Sequence, residues 1–69
     1  MIDEKKLVIT GLSTYYNEHE RIRNEINPGG VVDIYQWNEA SAKALIQAVA
    51  VMIETNNEAL LEKFKNQSN

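Results

Sequence analysis

Val31-Val32-Asp33-Ile34-Tyr35-Gln36 is the stretch on which the fold turns. Its β-branched start suits a strand, whereas Asp33 with Gln36 three residues on has the spacing of a capping box, in which two residues satisfy each other's unpaired amides at a helix start. Taken as a short strand over 31–35, with Asn38 then capping a long helix, it leads to an α+β fold. Taken as the start of that helix at Ile34, it leads to an all-α helical hairpin with extended arms. The first reading is the preferred one and the second its alternative.

Upstream, Lys6-Leu7-Val8-Ile9-Thr10 is short, β-branched and followed by Gly11, which predicts a strand over 5–10. Ser13 is then placed to cap a helix over 14–26. Leu12, Tyr15, His19, Ile22 and Ile26 recur at three- and four-residue steps and mark one apolar stripe on it. Asn27-Pro28-Gly29-Gly30 ends the helix, because proline disfavours a helical residue before it and glycine permits backbone angles that other residues avoid. A parallel pairing of the two strands across helix 14–26 fits the expected order of strand, helix, short strand or extended segment, and long helix.

Downstream, the helical pattern runs from Glu39 to about Lys65, with Glu39, Lys43, Gln47, Glu54, Glu58, Glu62 and Lys65 gathered on one polar arc. Such a helix is about 40 Å long, whereas a compact chain of this size is roughly 30 Å across. An unbroken helix therefore protrudes unless something lies beside it. Thr55-Asn56-Asn57-Glu58 is where a break would fall, although a continuous helix is preferred; Asn66-Gln67-Ser68-Asn69 reads as a frayed tail.

Within the long helix, Ala44 to Ile53 holds a single polar residue, Gln47. A helix apolar nearly all round needs cover nearly all round, and 69 residues forming one domain supply little of it. The apolar surface divides in two. Leu45, Val49, Ile53, Leu60 and Phe64 are bulky and are expected to form the core. Ala40, Ala44, Ala48, Val51 and Thr55 are small, allow close backbone approach, and are the candidate seam of a homodimer.

Composition excludes several functions. There is no cysteine, hence neither a disulfide framework nor a thiolate metal site, and a cytoplasmic setting is the default. The first residues lack the basic-then-apolar order of a signal peptide, and the apolar run at 44–53 is about half the ~20 residues that span a bilayer, so no membrane association is expected. Ten acidic and seven basic residues leave a net charge of −3, too modest to imply strong attraction to nucleic acid. No nucleophile sits in an activating context, Pro28-Gly29-Gly30 lacks the lysine and length of a phosphate loop, and no cofactor is indicated. His19, the sole histidine, has Tyr15, Tyr16, Ile22 and Arg23 at the spacings where further metal ligands would stand, so it reads as a packing or surface residue.

What remains is an interaction protein, not an enzyme. It is expected to self-associate through the long helix and to bind and modulate another protein, in the manner of an inhibitor or adaptor. Glu54, Glu58 and Glu62, with Tyr16 and Trp37, are the candidate contacts for a basic partner. Arg21 and Arg23 beside Tyr15 and Tyr16 support a nucleic-acid-binding transcriptional regulator as the alternative, and a structural or assembly subunit is the third possibility. Small, acidic, cysteine-free chains are also common among phage-encoded regulators, an association of size and composition alone.

Overall fold

The structure is a computed structural model and describes residues 3–67. Two helices, α1 (Glu4–Ile26) and α2 (Ile34–Gln67), form an antiparallel hairpin, and no strand is present among the described residues. The α+β expectation is thereby corrected: the hairpin of the alternative reading is the observed fold.

The strand expected over 5–10 is the first part of α1. Asp3 caps that helix well before Ser13, its carboxylate accepting from the Lys5 amide at 3.2 Å and its carbonyl from the Leu7 amide at 3.0 Å. Once a cap has nucleated the helix, the modest β preference of Val8, Ile9 and Thr10 is overridden by packing. Gly11 does not stop the helix. It lies buried in the middle of α1, where the Met52 side chain occupies the space a Cβ would take. Glycine costs about 1 kcal/mol relative to alanine inside a helix, and here it permits close approach of the second helix.

The segment 31–33 is irregular and carries no strand. Asp33, rather than Asn38, caps α2: its carboxylate accepts from the Gln36 amide at 2.8 Å, while the Gln36 side chain accepts from the Asp33 amide at 3.1 Å. Both limbs of the capping box are therefore formed. Between the helices, Gly29 and Gly30 take φ of 99° and 77°, a region closed to most residues, and the Gly30 amide donates to the Asn27 carbonyl at 2.8 Å. The Asn27 side chain also donates to the Val31 carbonyl, so the reversal is tied at both ends.

α2 runs unbroken through Thr55-Asn56-Asn57-Glu58 and includes Asn66 and Gln67; the rest of the tail expected to fray lies outside the described residues. The 34-residue α2 is longer than the 23-residue α1 and continues past the level of Glu4. The resulting rod measures 54 × 19 × 16 Å, and its 15.7 Å radius of gyration exceeds the ~11 Å of a compact chain of this length.

The packing inverts the expected sides of α2. Ala40 and Ala44 are 0% exposed and Ala48 is nearly so, buried against α1, with Val51 and Thr55 half-buried on the same flank. Leu45, Val49, Ile53 and Phe64, expected in the core, are exposed, and Leu60 is half-buried. The reason is steric. Small residues let two backbones approach and gain dispersion along their whole contact, whereas hydrophobicity alone says that a face wants cover, not which neighbour covers it. The alanine seam is thus occupied within one chain.

Gly11→Leu should be destabilising by about 1–3 kcal/mol, because the added side chain must displace Met52 and force the helices apart. Urea or thermal denaturation of the variant checks this, with Ser13→Leu, at an exposed site on the same helix, expected to change stability far less.

Candidate interaction surface

Two features stand out on the hairpin: a polar cluster near the loop and an apolar groove further along. The cluster centres on His19, 4% exposed and facing α2. Arg23, one turn on, donates from Nε to His19 Nδ1 at 2.8 Å. With Nδ1 accepting, Nε2 carries the proton and donates to Ser41 Oγ at 2.9 Å; the Ser41 hydroxyl in turn donates to the Trp37 carbonyl at 3.0 Å. These three bonds run in one direction, from guanidinium through neutral imidazole and hydroxyl to carbonyl.

The aromatic faces close the cluster. The His19 and Trp37 rings meet edge to face at 4.4 Å, Tyr15 lies 5.7 Å from His19, and the Arg23 guanidinium sits 4.8 Å above Trp37. Arg23 also reaches the Gly30 carbonyl. The cluster ties α1, the loop and the start of α2 together, and no buried side-chain nitrogen or oxygen among the described residues lacks a hydrogen-bond partner.

The groove lies between the helices on one side of the hairpin. Val8, Leu12 and Tyr16 of α1 and Leu45, Val49 and Met52 of α2 line a cleft of about 360 Å³, floored by Gly11, Tyr15 and Ala48. A second hollow, bounded by Leu7, Val49, Met52, Ile53 and Asn56, adjoins it and shares two of its residues. The side chains that line the groove come from both helices, each with one apolar face turned to its neighbour and another turned outward. Asn56 is half-buried at its edge, the one polar side chain among five in the second hollow.

The residues singled out by sequence fall in separate places. Tyr16 stands on the groove and is exposed, edge-on to Tyr15. Trp37 belongs to the His19 cluster. Glu54, Glu58 and Glu62 are exposed on the polar arc of α2, and none is in an ion pair among the described residues. Arg21 and Arg23, the nucleic-acid candidates, are both engaged. Arg21 bonds Glu18 at 2.7 Å and Glu25 at 2.6 Å, and its pKa is raised, first by the hydrogen bond and charge of Glu18 and then by Glu25. The remaining described ion pair joins Lys43 to Glu39 on the surface.

The groove is not apparent from sequence because the reading divides its residues, with Leu45 and Val49 in the core, Val8 in a strand, Ala48 in the dimer seam and Tyr16 among the partner contacts. Their i,i+4 recurrence in both helices was the available signal. Among the described residues no three metal-ligating side chains converge, and no helix is long and apolar enough to cross a membrane. No protein-family model, no curated protein and no solved structure matches the chain.

Ser41→Ala should leave His19 Nε2–H buried without its acceptor and cost about 1–3 kcal/mol. The denaturation midpoint reads this out; Ser41→Thr, which keeps the hydroxyl, should recover most of the loss.

Proposed function

We propose that the chain is a non-enzymatic interaction protein whose working unit is a homodimer, formed by packing the apolar groove against the same face of a second copy. The observation that carries this reading is the outward apolar face of Val8, Leu12, Tyr16, Leu45, Val49 and Met52, continuous across both helices. The buried hydrophobic residues of one chain are Ile22, Ala40, Ala44 and Ala48, and no large side chain is fully buried among the described residues. A hairpin with so small a core needs further burial to offset the entropy of ordering its backbone.

Area supports a second copy as the occupant. The chain exposes 5338 Å², roughly 900 Å² more than the ~4,400 Å² typical of a folded monomer of this mass. A standard interface removes about 800 Å² from each partner. Two copies joined face to face would bring the surface per chain close to that of a folded monomer of the same mass and form a four-helix bundle.

Such a dimer turns the polar arc of α2 outward on each side. Glu54, Glu58 and Glu62, one turn apart and in no ion pair among the described residues, form the surface best suited to a basic partner protein, which the dimer would bind twice over. Both candidate arginines are taken up internally, so the geometry lends the nucleic-acid alternative no support.

Sedimentation equilibrium across concentration tests the dimer directly. The native chain is expected at twice its 7.9 kDa mass, with a melting temperature that rises with concentration. Leu12→Glu and Leu45→Glu should each shift the population to monomer or unfold it. A helical native chain that remains monomeric at millimolar concentration overturns the proposal.

A further inference from the structure

Building on the homodimer, we infer that the two copies pack antiparallel, about a two-fold axis passing near Leu12 and Val49, so that Lys5 of each copy lies opposite Glu20 of the other. The inference comes from the order of residues along one strip of α1. Lys5, Val8, Leu12, Tyr16 and Glu20 follow one another at steps of three, four, four and four, which aligns them on a single helix face. The three middle members line the groove, and the strip ends in a cation on one side and an anion on the other.

The spacing of this strip is nearly symmetric about Leu12. Lys5 precedes it by seven residues and Glu20 follows it by eight, distances of about 10–12 Å along the axis. A two-fold axis perpendicular to the helix at Leu12 therefore exchanges the two ends. It sets Val8 against Tyr16 of the second copy, Leu12 beside its own equivalent, and Lys5 against Glu20. Both charged residues are exposed, and neither is in an ion pair among the described residues.

In the parallel arrangement, with both loops at one end, the two-fold axis runs along the helices and sets α1 of each copy against α2 of the other, so the strip of α1 does not meet its own reverse and Lys5 does not reach Glu20 of the second copy. On α2 the antiparallel axis falls near Val49, close to the middle of the Ile34–Gln67 helix, and sets Leu45 against Ile53 of the second copy. The two long helices then overlap almost end to end, each loop beside the other copy's α2 C-terminus.

Because the chain has no cysteine, a single Lys65→Cys substitution on the outer arc of α2 accepts one spin label per copy. Antiparallel packing places the labels roughly 45–50 Å apart, whereas parallel packing places them within about 25 Å, the width of a bundle of 10–12 Å helices. A charge swap gives an independent readout. Lys5→Glu and Glu20→Lys should each weaken dimerisation about five- to tenfold, and the double variant should recover it. A dimer with labels in the short range, and with no recovery in the double variant, overturns the antiparallel arrangement while leaving the homodimer intact. A monomer at every concentration overturns the homodimer itself.

Discussion

The close approach of the two helices along the alanine flank is the constraint on which the rest of the structure depends. Ala40, Ala44 and Ala48 present almost no side chain to α1, and Gly11 presents none to Met52. Backbones brought near in this way gain many weak dispersion contacts at little cost in side-chain entropy. Bulky residues cannot share that seam, so Leu45, Val49 and Ile53 turn outward. One packing choice therefore both holds the hairpin together and creates the apolar face that a single chain leaves open.

At the loop end the same narrow separation leaves room for a polar solution. His19 and Ser41 face each other across the helices at hydrogen-bonding distance, and Arg23 supplies the donor that the second imidazole nitrogen requires. Burying an imidazole is costly unless both nitrogens are paired, and here they are. The cluster sets the register of α1 on α2, since sliding one helix by a turn would separate the histidine from the serine. Apolar packing among alanines is nearly indifferent to such a slide; the polar chain is not.

Local signals in the sequence were legible where they are carried by backbone chemistry. The Asp33 and Gln36 pair described a helix start that formed with both hydrogen bonds, and Pro28-Gly29-Gly30 marked the reversal. Gly11 misled because a glycine that ends an element and a glycine that admits a neighbouring helix look alike in one dimension. The capping role of Asp3 was hidden behind a β-branched run whose preference is weak against tertiary contact. Periodicity separated the small flank of α2 from the bulky flank correctly, yet it carries no information on which neighbour each meets. The tie between His19 and Ser41 spans 22 positions and leaves no local trace; only the four-residue spacings of His19 to Arg23 and Trp37 to Ser41 were there to be read.

The reversal between the helices also governs how copies of the chain can exchange parts. Helical hairpins commonly swap domains by straightening the loop, so that two helices fuse into one rod that trades its second half with another molecule. Pro28 has no amide to extend the hydrogen-bond ladder of α1 and disfavours a helical Asn27, while the positive φ of Gly29 and Gly30 turns the backbone out of the helical path. Straightening would also break the Arg23 contact with Gly30 and the bond from Asn27 to Val31. The loop thus opposes domain swapping and favours a molecule in which α1 stays on its own α2.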